Sequence, residues 1–186
     1  MTSPVVTIAS DGDVIFVVGD EKRQLRVHSL FLRTVSIVFD AMLGPRYSEG
    51  ANLSSNVPKI IPLPEDDPEA MEIIFSIIHY RLDTFSDQLG SEAVFRLAIA
   101  IDKYDMTRAL NIHICSLLNC NNIQDPKSLW QLARASYLLR NDLAFETATL
   151  GLLYHYGEPY LRLAHIDTNA IDIGDQFMGM SSSSPL

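Results

Sequence analysis

Short apolar runs separated by a turn predict a β-hairpin near the start of the chain. Val14–Val18 is an unbroken run of β-branched and aromatic residues, which predicts a strand buried on both faces or nearly so. A turn at 19–22 follows, and Gln24–Val27 then alternates polar and apolar residues. Because the turn is short, we expect the two strands to pair antiparallel.

After the hairpin, the apolar residues recur every three or four positions, which predicts helices. One short helix is expected near 29–33 and another near 36–43. Ser29 and Ser36 are the candidate N-terminal caps of these helices, because a serine hydroxyl can accept a hydrogen bond from a free backbone N–H of the first turn.

A loop and one more strand precede the helical part of the chain. Residues 44–59 are rich in Gly, Pro, Ser and Asn, which predicts a loop. Lys59–Leu63 has the composition of a short strand. Proline cannot donate to the hydrogen bonds of a sheet, so Pro62 and Pro64 indicate an edge strand or the end of a strand.

From residue 68 onward the pattern predicts helices only. Asp67-Pro68 and Asp125-Pro126 each place a carboxylate directly before a proline, an arrangement typical of a helix start. Three strands cannot bury both faces of a sheet unaided, so we expect an α+β domain in which helices cover a small sheet, with an all-α C-terminal extension. The helices are expected near 68–79, from Ser91, near 106–118, from Pro126 and, after a break and a new cap at Asn141-Asp142, near 143–155.

Composition and charge exclude several classes of partner. The 186-residue chain is 47% hydrophobic, which suits a globular core, and its net charge is −9, with 14 basic against 23 acidic residues. Nucleic acids and anionic membrane surfaces attract clustered Lys and Arg, so neither is expected as a partner. We find no signal peptide and no long apolar segment, and therefore expect the cytoplasm, the nucleus or both.

Several local motifs occur in a fixed order between residues 11 and 121. They are Asp13-Val14, Leu25–Ser29 with Leu32, Ser36 with Phe39, Met42 and Leu43, Ile61 with Leu63, Pro68–Met71, Ile78–Arg81 and Ala100–Asp105. This series resembles the BTB/POZ domain family, and its last two motifs are similar to the variant common in filamentous fungi. The resemblance implies a BTB/POZ-like domain over 1–121. The helical pattern predicts an extension over 122–168, and the lack of periodicity predicts a mobile tail over 169–186.

The resemblance implies a non-catalytic protein–protein interaction module. One hypothesis is a substrate adaptor for a cullin-based ubiquitin ligase, and the alternative is a self-association or transcription-complex assembly module with no link to ubiquitin. Longer relatives begin with an extra helix and strand that build a swapped homodimer. About ten residues precede the first predicted strand here, so we expect that swapped dimer to be missing, although another homo-oligomer stays open.

The partner-binding hypothesis falls on Tyr47 and Glu49, with Met42 before them. Cullin adaptors of the family carry a hydrophobe-x-Glu in this loop, five positions beyond an Ala-Met pair, and Ala41-Met42 stands at that spacing from Tyr47. An exposed aromatic offers contact area, and a glutamate accepts hydrogen bonds from the N-terminus of a partner helix. The alternative is a tyrosine folded back on the core beside a solvated glutamate.

No residue pattern supports catalysis, a cofactor or a metal. His28 beside Ser29 suggests a base and a nucleophile, but adjacent residues rarely reach that geometry, and a histidine bonding the strand–helix junction is favoured. Glu65–Asp67 is interpreted as a helix-capping cluster and not as a cation site. Cys115 and Cys120 are expected to be buried reduced thiols. The remaining histidines are scattered: His79, His113, His155 and His165.

The helices near 126–155 have an amphipathic surface with Trp130, Tyr137 and Tyr154. We expect them mainly to pack the extension onto the first domain. The alternative is a groove for a partner, by analogy with the helices that follow the domain in cullin adaptors.

Overall fold

The computed structural model describes residues 4–45, 50, 52–81, 89–120, 122–157 and 163. The predicted antiparallel hairpin is confirmed by the pairing of β2 (Val14–Val18) with β3 (Arg23–Val27). Phe16 lies opposite Leu25 on the buried face of the sheet. The residues of β2 that point the other way are only half-buried, so burial is complete on one face and not on both.

Two parallel pairings extend the hairpin into a mixed sheet. β4 (Lys59–Leu63) pairs with β2, and β1 (Val5–Thr7) pairs with β3, which gives the order β1-β3-β2-β4. The edge position indicated by Pro62 is confirmed. β1 lies where the sequence predicts no strand, because three residues are too few to show a period. Its pairing with β3 supplies the hydrogen bonds that such a short segment needs.

The outer edge of β4 has an unusual composition. The first and last residues of this strand bond through their backbone to the β2 side. Since backbone groups alternate in direction along a strand, the neighbouring positions Pro58, Ile60 and Pro62 face away from β2. Of these three residues only Ile60 has a backbone N–H.

The two short helices after the hairpin are α1 (Ser29–Val35) and α2 (Ile37–Leu43). Ser36 caps α2 as expected, since its hydroxyl oxygen accepts from the backbone N–H of Phe39 at 3.0 Å. The expectation for Ser29 is wrong, because His28 holds the cap position of α1 and Ser29 is the first helical residue. The side chain of Ser29 turns instead toward the start of β2.

The helix starts predicted from carboxylate and amide caps are confirmed. Asp67, Asp125 and Asn141 each accept a backbone hydrogen bond from the residue three positions later. One helix is shorter than the predicted 106–118, because residues 107–110 form turns. The helices run over α3 Pro68–Ile78, α4 Ser91–Lys103, α5 Asn111–Leu117, α6 Pro126–Leu138 and α7 Asp142–His155.

A cluster of four aromatic rings joins the sheet to the helices. Phe16 of β2 lies 5.7 Å from Phe39 of α2 and 5.3 Å from Phe75 of α3, between ring centroids. Tyr104, which follows α4, stacks on Phe39 at 4.3 Å with nearly parallel planes. Beyond this core α6 packs between α4 and α7. The observed architecture is the predicted α+β class with a helical C-terminal region.

Candidate functional site

The end of α2 is the best-defined part of the predicted partner-binding segment. Phe39 and Leu43 are buried and hold the helix on the core, while Met42 is half-buried at its margin. Ser36 strengthens this anchorage, because its hydroxyl also donates to the backbone carbonyl of Tyr104. The position of Met42 therefore depends on contacts with residues far along the chain.

Tyr47 and Glu49 lie outside the described residues. After these residues the structure describes the predicted loop from Asn52 onward, and the side chain of Leu53 is half-buried against the core. Arg26 of β3 donates through Nη2 to the carbonyl of Ser55 at 2.9 Å. The described end of the loop is thus attached to the sheet, and the prediction for Tyr47 and Glu49 stays a prediction.

Three large apolar side chains on α1 and α2 are exposed, and we call them the α1–α2 surface. Leu30 is 63% exposed, Phe31 42% and Ile37 71%. A neighbouring ion pair joins Arg33 Nε to Asp40 Oδ1 at 2.9 Å and links the two helices across their polar side. Large exposed apolar residues beside a polar rim are typical of protein interaction sites.

The start of α1 is attached to the end of α3 by two histidines. Nδ1 of His79 donates to the carbonyl of Phe75 at 2.7 Å, so Nε2 keeps its lone pair and accepts the backbone N–H of His28 at 3.0 Å. Burial lowers the pKa of His79, which favours this neutral form. The Phe31 ring stands edge-on to both imidazoles, at 5.7 and 5.1 Å. The histidine pair therefore fixes one member of the α1–α2 surface.

Asp13 makes a second attachment at the same junction. Its carboxylate accepts the backbone N–H and the hydroxyl of Ser29, both at 2.7 Å. The aspartate of the Asp-Val motif thus positions the first turn of α1. This role of Asp13 was not predicted, although the sequence shows an aspartate before a strand and a serine at a helix start.

His28 and Ser29 do not form a base and a nucleophile. Nε2 of His28 lies 2.8 Å from Oδ1 of Asp11, whereas the hydroxyl of Ser29 donates to Asp13. The hydrogen bond to His28 lowers the pKa of Asp11, as expected for an ionised carboxylate with a donor. The imidazole and the hydroxyl are each engaged by a separate carboxylate, so the hydroxyl proton is not directed at the imidazole.

The acidic run is only partly a capping cluster. Asp67 caps α3 as predicted, but Asp66 is buried and accepts from Tyr104 Oη at 2.7 Å and from Lys103 Nζ at 2.8 Å. Desolvation of Tyr104, strengthened by this carboxylate, raises the pKa of its phenol far above the usual range. Asp66 therefore joins the loop before α3 to the end of α4.

A groove of about 290 Å³ lies between α3 and α4 and is bordered by charged side chains. Arg23 contacts Glu72 at 2.9 Å, and Arg96 contacts Glu69 at 3.1 Å. A ligand that bound either arginine would have to compete with one of these ion pairs. The groove therefore gives little support to a small-molecule site.

The aromatic residues of the C-terminal helices differ in their surroundings. Trp130 is 2% exposed, so the packing role is confirmed for it. The guanidinium of the buried Arg134 lies 3.9 Å from the ring centroid of Phe95 in α4, which adds a cation–π contact to this interface. Tyr137 is half-buried beside a phenylalanine of α7, whereas Tyr154 is 84% exposed and does not pack on the first domain.

The titratable residues form no metal constellation in the part of the chain that the structure describes. Cys120 is buried, and burial raises the pKa of its thiol, but Cys115 is exposed, so the expectation of two buried thiols is wrong for it. The side-chain amide of Asn141, which caps α7, lies 3.7 Å from the sulfur of Cys115. Within the same residues, no helix is long and apolar enough to cross a membrane.

The comparisons with known proteins agree with this geometry. The family model described as BTB/POZ domain matches residues 9–121, which is more than half of the 186-residue chain. No curated protein matches the sequence. The matched segment begins before β2 and ends just after α5, so it includes the histidine pair, Asp66 and the α1–α2 surface.

Proposed function

The chain belongs to the BTB/POZ domain family, a family of protein–protein interaction domains, and we propose that it links a target protein to a cullin-based ubiquitin ligase. In this proposal the cullin binds at the end of α2 and the following loop, where Tyr47 is the anchor and Glu49 an orienting group. Met42 completes the contact from the helix.

The observation that carries the proposal is the position of Met42. It is half-buried at the last turn of a helix that the aromatic core holds in place, directly before the loop that contains Tyr47. A rigid support lowers the entropy lost when a loop residue binds a partner. An exposed aromatic beside such a support has the character of an interface anchor.

Binding of purified cullin to the full chain tests this proposal. Tyr47→Ala should weaken binding by at least about tenfold, because truncating an aromatic anchor typically costs about 2 kcal/mol or more. Glu49→Ala should weaken it by about 1–3 kcal/mol, since its hydrogen bond is strong only while the interface excludes water. Both variants should melt within a few degrees of the unchanged protein.

Tyr80→Ala is the matched control, because Tyr80 is a tyrosine that is 84% exposed and follows α3, outside the proposed contact. It should leave cullin binding unchanged. If the unchanged protein does not bind cullin at tens of micromolar, the adaptor proposal fails. If Tyr47→Ala unfolds the chain, Tyr47 is a core residue and the motif match is fortuitous.

The α1–α2 surface favours a second candidate function, self-association without a ubiquitin ligase. Ile37, at 71% exposure, is its most exposed member and the first residue of α2. Ile37→Glu should abolish association through this surface, while the new carboxylate suits the N-terminus of the helix and should not destabilise it. Val57→Glu, in the exposed loop before β4, is the control for added charge. Sedimentation equilibrium that shows the same mass for both variants and the unchanged protein would reject this candidate.

A further inference from the structure

One face of α7 packs on α6. The opposite, outer face is exposed and is nevertheless apolar. Leu143, Thr147, Leu150 and Tyr154 recur at intervals of four, three and four residues, and we call them the α7 stripe. At 3.6 residues per turn they fall within an arc of about 60°. Ala148 and Leu152, on the opposite side, are buried.

Exposure of the α7 stripe is high for apolar side chains on a globular surface. Leu143 is 75% exposed, Leu150 45% and Tyr154 84%, and Leu153 at the margin of the stripe is 66% exposed. The helix is therefore apolar on both sides. Packing on α6 accounts for the buried side only, and the other side has the character of an interaction surface.

The spacing and the charges of α7 indicate what covers it. Intervals of four, three and four residues read the same in both directions and match the core positions of a coiled coil. Two copies of α7 can therefore pair about a twofold axis with Leu143 of one copy opposite Tyr154 of the other, and Thr147 opposite Leu150. Such an isologous contact is the usual form of a homodimer interface.

The distribution of charge favours the antiparallel arrangement. The exposed carboxylates of Asp142 and Glu146 stand in the first half of α7, whereas its last turn carries His155 and no carboxylate. A parallel pair would bring the carboxylates of both copies together. An antiparallel pair keeps the carboxylates of the two copies apart, and it also opposes the two helix dipoles.

We propose that a second copy of this chain binds the α7 stripe, so that two antiparallel α7 helices form a homodimer. This inference goes beyond the proposed function and does not depend on cullin binding. A single helix face is smaller than the roughly 800 Å² per partner of a standard interface. The dimer is therefore weak, with a dissociation constant on the order of 100 µM.

Analytical ultracentrifugation of the full chain from about 10 µM to 1 mM tests the proposal, because this concentration range spans the dissociation constant expected for so small an interface. The unchanged protein should shift from monomer to dimer over this range. Leu143→Glu should raise the dissociation constant at least about tenfold, because it places a charge in the apolar contact. Tyr154→Ala should have a similar effect. Both side chains are mostly exposed, so both variants should keep the melting temperature.

Ile112→Glu is the control, since Ile112 is 85% exposed on α5, outside the α7 stripe. It should dimerise like the unchanged protein. A monomer at 1 mM overturns the proposal, and so does a dimer that Leu143→Glu leaves intact. A dimer that only Ile37→Glu dissociates would assign self-association to the α1–α2 surface instead.

Cysteine pairing tests the orientation of the two helices. In a Cys115→Ser background, an oxidised mixture of Leu143→Cys and Tyr154→Cys chains should form the mixed disulfide in preference to either homodimer. A parallel pair would give the two homodimers instead. That result would overturn the antiparallel arrangement, and no cross-linking at all would overturn the contact.

Discussion

The part of the chain around the sheet and the α6–α7 pair are held by different kinds of contact. Around the sheet, polar side chains bridge elements that are distant in sequence, as Asp13 does with Ser29, and Asp66 with Tyr104. In α6 and α7 the bonds of Ser136 and Thr149 to backbone carbonyls remain within one helix, and buried apolar side chains join the two helices. One side-chain bond, from Ser91 to Gln131 at 2.7 Å, also attaches α6 to α4.

The two regions should therefore tolerate amino-acid replacements differently. A directional bond between distant elements is lost when one atom is replaced, and the partner is then left buried without its bond. Apolar packing depends on area and volume, so it tolerates exchanges of similar size and fails when a large side chain is removed. The predictions below test each region through the kind of contact that holds it.

Removal of the indole of Trp130 should give the largest loss of stability. Trp130→Ala should lower the free energy of unfolding by about 3–5 kcal/mol, because it leaves a cavity where α6 packs on its neighbours. Tyr154→Ala, the control on the exposed side of α7, should change it by less than about 0.5 kcal/mol. Denaturant unfolding should show one transition in both variants. Two separate transitions in Trp130→Ala would mean that α6 and α7 unfold independently of the sheet.

Replacement of Asp66 should give the next largest loss. Asp66→Ala should cost about 2–4 kcal/mol, because the buried hydroxyl of Tyr104 and the ammonium of Lys103 lose their acceptor together. Asp66→Asn should cost less, since the amide oxygen can still accept from the phenol. Asp20→Ala, at an exposed turn, is the control. Equal melting temperatures for Asp66→Ala and Asp20→Ala would show that these bonds contribute nothing to stability.

Acid should weaken the attachment between α1 and α3. The pKa of His79 is lowered from 6.5 in the folded chain, so below about pH 6.5 the unfolded chain binds the proton first and stability falls as the pH falls. One proton limits the slope to about 1.4 kcal/mol per pH unit. His79→Gln should reduce this slope, and His155→Gln, on an exposed histidine, should not. A slope that is identical in all three proteins would contradict the role of His79.

Replacement of the two carboxylate caps should give the smallest losses of stability, and the two losses can be compared directly between the regions. Asp67→Ala and Asp125→Ala remove the same bond from α3 and α6, and each should cost about 1 kcal/mol. Asp67 also lies 3.7 Å from Arg96, an exposed contact that adds little. We expect the two losses to agree within about 0.5 kcal/mol by chemical denaturation. A much larger loss for Asp125→Ala would show that α6 depends on its cap more than on packing.

Local features of this fold could be predicted from the sequence, whereas long-range partners could not. The hairpin and the caps at Asp67, Asp125 and Asn141 depend on residues a few positions apart, and all were predicted. The bond from Tyr104 to Asp66 spans 38 residues, and the bond from Ser29 to Asp13 spans 16. No pattern in a single sequence shows which of several carboxylates a hydroxyl will meet.

The candidate site likewise contains a residue that was predicted from the sequence and a surface that was not. Met42 was predicted from its place in a local motif; it is half-buried at the last turn of α2, and its role in binding stays a prediction. The α1–α2 surface was missed, because Leu30 fits the helical apolar period and yet points to solvent. Periodicity shows which residues share a face of a helix, but only the packing of neighbouring elements decides which face is covered.

The two prolines on the outer edge of β4 limit how copies of this protein can meet. An exposed edge strand is a template for strand addition, which leads to domain swapping or to aggregates that grow from copy to copy. Here a strand that approached β4 would find the N–H of Ile60 between Pro58 and Pro62, which have no hydrogen to donate. The prolines therefore disfavour strand addition at β4, and we expect association at this end of the molecule to use side-chain surfaces, whose stoichiometry is finite.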